Sequence, residues 1–295
     1  MNKYMIQLAT AVILNIFAIE NVFAQGNPGF GIVTVSPAFE IDGKGRNVDS
    51  IAFWETPDST ETLMFVTGKD NDLVEVWKYP FQNNELSPIE FSSSVNGVAV
   101  DQKTDLLYVT ETGARRVNVF SLPDLQLQLE FGQNKIGKGE NNLDILKHAN
   151  SKTFVYVTDD HKVHWFDAGS GYHLGTFAPP VSSIETVLAD DFYQMLLVPE
   201  EQGPKGSPGI YAFNPDGTPF EKNGTNRFGN NKEFSSDEEG ILLYTFPSSG
   251  IGDDGTGFIV VSDQRRSQTD FEFFDRQTWQ HLGILRIEGV SIPMA

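Results

Sequence analysis

After residue 24 the chain alternates short apolar runs with clusters of Gly, Pro, Asn and Asp, and long helical periodicity is nearly absent. The runs MFVTGK (64–69), LYVTET (107–112), VYVTDD (155–160), LLVPEE (196–201) and IVVSDQ (259–264) are rich in β-branched residues and bounded by turn formers such as Asn214-Pro215-Asp216-Gly217. Each predicts a strand. A polar residue opening a small apolar strand precedes each run: Asp49, Asn96, Asp144, Glu185 and Glu239. A third run carrying an aromatic follows: VEVWKY, VNVFSL, VHWFDA, IYAFNP and FEFFDR. The opening residues stand 47, 48, 41 and 54 positions apart. A repeat of this length with three or four strands per unit predicts an all-β fold of the β-propeller type. A sandwich or solenoid is the alternative, but neither repeats polar and aromatic positions so regularly. The aromatics Trp77, Phe120, Trp165, Phe213 and Phe274 share one place in the repeat and are expected to pack between blades.

The first stretch has a different pattern. Lys3 precedes an apolar run over residues 5–19, and Val22-Phe23-Ala24 supplies a small-residue cleavage site, so residues 1–24 read as an export signal. A buried N-terminal helix or a membrane anchor fits less well, because the run is short and interrupted by Asn15. Residues 25–295 are then the propeller domain, expected in the periplasm or outside the cell. The absence of cysteine excludes disulfides and thiolate chemistry, and suits a core large enough to need no staples.

Charge sharpens the picture. With 40 acids against 21 bases the net charge is −19, which makes nucleic acid and anionic membrane poor partners. In a propeller the first strand of each blade lines the central channel, so the opening residues are expected to converge around one axis. Carboxylates held close together repel one another and must protonate, take up water or bind cations. Ca²⁺, with its oxygen ligands, is the expected cofactor.

At these residues the sequence resembles the β-propeller phytases, calcium-dependent six-bladed phosphatases acting on inositol hexakisphosphate. The resemblance is carried by Glu185 to Tyr193 with Ala189-Asp190-Asp191, then Leu196 to Glu201; by Asp237-Glu238-Glu239-Gly240, Ile259 to Gln264 and Phe273-Phe274-Asp275-Arg276; by Asp49 to Trp54 with Thr67-Gly68-Lys69; and by Asn141-Asn142-Leu143-Asp144. It covers roughly residues 48–288 and is most specific in the first, fourth and fifth repeats. It implies a phosphomonoesterase using metal-activated water. Asp49, Asp144, Glu185, Glu200, Asp237 and Glu239 would be calcium ligands or channel-facing acids, Glu185 and Glu239 the catalytic ones, and Lys69 a phosphate contact. Arg115 and Arg265, in connecting turns, could reach further phosphates. The partner would be an inositol phosphate, and the chain a monomer.

The sequence departs from the family pattern in two places. The family's paired Asp-Asp is Asp49-Ser50 here, and the chain ends at Gly289 to Ala295, where the family continues into a sixth blade. Five repeats and an incomplete sixth blade are therefore expected, with Gly31 to Glu40 supplying one strand to the last blade. An exported propeller serving only as a binding module, or a calcium-dependent propeller lactonase, are the alternative functions.

Other motifs lead elsewhere. Gly250 to Gly255 fits a dinucleotide fingerprint, but a strand follows it where a helix is required, so a hairpin loop is expected. His161 and His164 would point to opposite faces of a strand and share no metal. Asn223-Gly224-Thr225 reads as a turn. No nucleophile elbow, P-loop or zincin motif is present.

Overall fold

A computed structural model describes residues 29–37, 41, 43–82, 84–200, 208–235, 237–246, 252–265 and 268–289. The expected export signal (residues 1–24), Glu201 and the side chains of Asp237 and Arg265 lie outside the described residues, as do residues 290–295, where a sixth blade was expected to begin.

The chain is all-β. Its first strand, β1 (Gly31–Val35), is followed by β2 (Val48–Trp54), β3 (Leu63–Gly68), β4 (Leu73–Lys78) and β5 (Ile89–Glu90), then β6 (Val95–Asp101), β7 (Leu106–Glu111), β8 (Arg116–Ser121) and β9 (Leu127–Phe131), then β10 (Leu143–Lys147), β11 (Thr153–Asp159), β12 (Lys162–Asp167) and β13 (His173–Phe177). Next come β14 (Leu188–Asp190), β15 (Met195–Pro199), β16 (Ile210–Phe213) and β17 (Arg227–Phe228), and finally β18 (Asp237–Thr245), β19 (Gly257–Arg265), β20 (Gln268–Asp275) and β21 (His281–Ile287). Each group of four is one antiparallel sheet with its strands in chain order, the blade of a propeller. The described residues form five blades, and the fold class read from the repeat is the one observed. The blades fall into two compact units: Ile41–Pro179 holds the first three, and the chain from Pro180 onward, joined by β1, holds the other two.

The cores follow from alternation along the strands. In the first unit Phe65, Val74 and Val76 pack with Val98, Leu107 and Val109, and Tyr108, Val117 and Val119 pack with Val155, Val157 and Phe166. In the second, Leu197, Ile210 and Ala212 pack with Ile259, Val261 and Phe274. Four of the five repeated aromatics occupy one register position: Trp77 faces Met64, Phe120 faces Leu107, Phe213 faces Leu196 and Phe274 faces Ile259. The third blade differs. There Phe166, opposite Val155, takes the position and is fully buried, while Trp165 is half-buried on the other face of the strand. A one-residue slip exchanges the faces of a strand.

β1 adds a fifth strand to the last blade, pairing parallel with β21 so that Gly31 lies opposite Gly283 and Val35 opposite Ile287. The N-terminal run thus extends the fifth blade.

Candidate functional site

The opening residues owe their placement to a bulge. The inner strands β2, β6 and β18 shift register between Val48 and Ile51, Val95 and Val98, and Glu238 and Ile241. A hydroxyl on the second strand accepts the N–H that the irregular segment frees: Ser50 N–H donates to Thr67 Oγ1 (2.9 Å), Gly97 N–H to Thr110 Oγ1 (2.7 Å), Asn142 N–H to Thr158 Oγ1 (2.9 Å) and Gly240 N–H to Ser262 Oγ (2.7 Å). Bulges of this kind re-aim a neighbouring side chain. Here the re-aimed residues are Asp49, Asn96, Asn141 and Glu239. In blade four Glu185 takes the same position, three residues before Leu188, which pairs with Leu197 as Ala52 pairs with Phe65.

The register corrects one residue. Asp144 pairs with Tyr156, the place Ala52 and Ala99 hold in their blades, and its carboxylate accepts the N–H of Ile145 at 2.8 Å. Asn141 is the third blade's opening residue. Asn141 and Asn96 are both buried, yet Asn141 Oδ1 and Asn96 Nδ2 have no hydrogen-bond partner.

In the first unit Asp49 meets two residues from other segments. The Lys69 ammonium lies 2.6 Å from Asp49 Oδ1 and 2.7 Å from Glu140 Oε2. The Asp49 and Lys69 side chains are only 12% and 13% exposed. Burial would push the Lys69 ammonium down, but the Asp49 and Glu140 carboxylates outweigh it and hold its pKa above the ordinary lysine value. Ser50 Oγ donates to Asp49 Oδ2 at 3.1 Å, and Asn142 Nδ2 to Ser50 Oγ at 3.1 Å, which ties the opening of blade three to that of blade one. Lys69, expected to face a substrate phosphate, is thus held by its own protein's acids. Glu140 was not singled out in the sequence; the only signal was its position beside Asn141-Asn142.

Many of the other acids act as clasps. At or near the end of the second strand in blades two to five stands a buried carboxylate that accepts hydrogen bonds from the loop entering the same blade. Glu111 accepts from Ser92 N–H (3.2 Å) and from the hydroxyls of Ser92 (2.5 Å) and Ser93 (3.0 Å); Asp159 from Gly137 N–H (3.2 Å); Glu200 from Ser182 N–H (3.3 Å); and Asp263 from the N–H (3.2 Å) and hydroxyl (3.0 Å) of Ser235. Blade one ends its second strand in Gly68, and Glu75 on the third strand accepts from the Lys44 and Gly45 N–H groups instead. Glu200, expected among the metal ligands, fills this role in the structure.

Glu185 is buried and Glu239 half-buried, both on inner strands or their approaches. Arg115 is exposed in the β7–β8 turn, whereas its neighbour Arg116 is engaged by Glu111 and Glu130, each at 2.7 Å. Asp190 is fully buried under Arg276, whose guanidinium grips Asp190 (2.8 and 2.7 Å) and Asp253 (2.6 and 2.8 Å) through two bonds each. Those acids are structural partners of an arginine.

The oxygens gathered around Lys69 Nζ and Asp49 are the Asp49 and Glu140 carboxylates and the Ser50 hydroxyl, and such a set suits a hard cation. Asp49 and Glu140 present oxygens within 4.8 Å of one another, and Lys69 is the cation they hold.

No family model and no curated protein matches the chain. Solved structures do. Kuenenia stuttgartiensis hydrazine synthase matches with a TM-score of 0.56 and 11% identity, over 82% of this chain and 67% of that one. Dihydro-heme d1 dehydrogenase NirN in complex with DHE matches with a TM-score of 0.47 and 10% identity over 76% of this chain, which spans 44% of that protein. At such identity the likeness to hydrazine synthase, an enzyme by its name, shows the fold alone: the chain is a β-propeller. Among the described residues no helix is long and apolar enough to cross a membrane.

Proposed function

We propose that this exported propeller is a calcium-dependent phosphomonoesterase of the phytase type, acting on myo-inositol hexakisphosphate. The observation that supports it most is the convergence of Asp49 and Glu140 on one buried cation. Oxygen ligands already gathered around an ammonium are suited to a divalent ion. Within the first unit Asp49 and Glu140 would hold Ca²⁺, with the orphaned Asn141 Oδ1 a further oxygen in the same segment as Glu140. The second unit offers Glu185, Asp237 and Glu239 as its own acids. Bound Ca²⁺ would offset charge on the phosphate oxygens and activate water. Once its carboxylates are taken by the ion, Lys69 is released to hold a phosphate as a point charge.

One observation favours a second reading, a binding module without turnover. Lys69 is fully committed to two acids, and of the two expected arginines Arg115 lies in an exposed turn. Phosphate release from inositol hexakisphosphate, measured with millimolar Ca²⁺ and again with chelator, separates the two. Release that requires Ca²⁺ and is lost in Asp49→Asn and Glu239→Ala supports the phosphatase. A folded chain that binds the substrate and releases nothing in either condition supports the module.

A further inference from the structure

His164 takes part in a hydrogen-bonded chain that neither the repeat nor the candidate site explains. It lies on β12, is 5% exposed, and points Nε2 at Asp159 Oδ2 at 2.8 Å. Asp159, the last residue of β11, is fixed in turn by the N–H groups of Gly137 (3.2 Å), His161 (3.1 Å) and Lys162 (2.8 Å). Burial would push the Asp159 carboxyl up, but the His164 and backbone hydrogen bonds outweigh it and hold it below the usual carboxylate range. A carboxylate can only accept, so His164 Nε2 carries the proton, and neutral His164 presents Nδ1 as an acceptor. Nδ1 faces Thr176 Oγ1 at 2.9 Å, across the register pair His164–Thr176. Thr176 is exposed on the outer strand β13. Its oxygen is also 3.1 Å from His173 Nε2, and the two imidazoles fix its rotamer. Burial above all pushes the His173 pKa down.

Carboxylate, imidazole and hydroxyl in series, with the acid buried and the hydroxyl open to solvent, is the arrangement that activates an alcohol as a nucleophile. We propose that Thr176 is an acyl-accepting nucleophile, with His164 as its general base and Asp159 as the positioning residue, and that this site takes small activated carboxylic esters. In the first step Thr176 Oγ bonds to the acyl carbon and its proton passes to His164 Nδ1. The bond from that carbon to the alcohol oxygen breaks, and the departing alcohol takes the proton from Nδ1. Water then attacks the threonyl ester, giving a proton to Nδ1. Carboxylic acid is released, and the proton returns to Thr176. The residues are 159, 164 and 176 in sequence, with no elbow motif between them, and only the β12–β13 pairing brings the hydroxyl to the histidine.

The full chain, in chelator so that any calcium-dependent phosphatase is silent, is treated with p-nitrophenyl acetate and with a fluorophosphonate probe, and adducts are located by peptide mass. The expected result is one adduct, on Thr176, retained in Thr176→Ser and absent in Thr176→Val, checked by its thermal melt to be folded. His164→Gln, losing the base, should label about 100-fold more slowly. Asp159→Asn, checked to be folded, should lower the pH midpoint of labelling, because a neutral partner stabilises the imidazolium less. A folded wild type without an adduct, or labelling that Thr176→Val leaves unchanged, overturns the proposal.

Discussion

Arg276 shows how much a single side chain can carry. It is fully buried, and Asp190 beneath it is fully buried too. Removing the guanidinium leaves an uncompensated carboxylate in the core, so Arg276→Met should cost about 3–5 kcal/mol, read as a lower midpoint in urea unfolding. Lys69 makes a different prediction. Lys69→Met leaves Asp49 and Glu140 facing each other. Because Glu140 is 53% exposed, the loss is discounted to about 2 kcal/mol. If the site takes Ca²⁺, millimolar Ca²⁺ should restore the melting temperature of this variant by more than it raises that of the wild type; equal shifts would remove Asp49 from the metal ligands. The sequence showed these residues as charges but not their partners. Lys69 read as a phosphate ligand, because an ion pair with a residue 71 positions away leaves no local pattern.

At the scale of the element, the recurring unit is a bulged inner strand held by a hydroxyl on the second. Thr110 accepts the Gly97 N–H and donates to the Asn141 carbonyl. Thr110→Val keeps the shape and leaves the Gly97 N–H and the Asn141 carbonyl only their longer mutual bond of 3.2 Å, so it should destabilise by about 1 kcal/mol in chemical denaturation, with faster amide exchange at Gly97 as the local sign. Gly97 itself tolerates no side chain there, since a Cβ would fall 2.7 Å from Asn142 Cα. Strand existence, blade count and the register of four blades were legible in the sequence, because apolar alternation and turn chemistry repeat with the blade. The third blade was misread twice, with Asp144 taken for Asn141 and Trp165 for Phe166. There an amide stands where blades one, four and five carry acids, and two aromatics stand side by side, so the composition pointed to the wrong register and only strand pairing decides it.

Over the whole molecule, several of the 40 acids serve as internal tethers. Burial would push the Glu111 carboxyl up, but hydrogen bonds from Ser92, Arg116 and Ser93 outweigh it and hold it below the ordinary value. A depressed carboxylate contributes stability above its unfolded pKa and loses it as pH falls through the folded one. The chain should therefore lose stability below about pH 4, and Glu111→Gln, weaker at neutral pH, should lose less over that window in acid titration followed by circular dichroism. The pairing of β1 with β21 has a consequence for assembly. Gly31 lies opposite Gly283, so closing that ladder carries a loop entropy of roughly 5 kcal/mol, while every other sheet joins strands adjacent in sequence. Chain order then becomes folding order. A chain emerging from its N-terminus can complete the first three blades in turn, but β1 must wait, its edge unpaired, until β21 has left the ribosome, and a chain cut before His281 would keep that edge open to other copies.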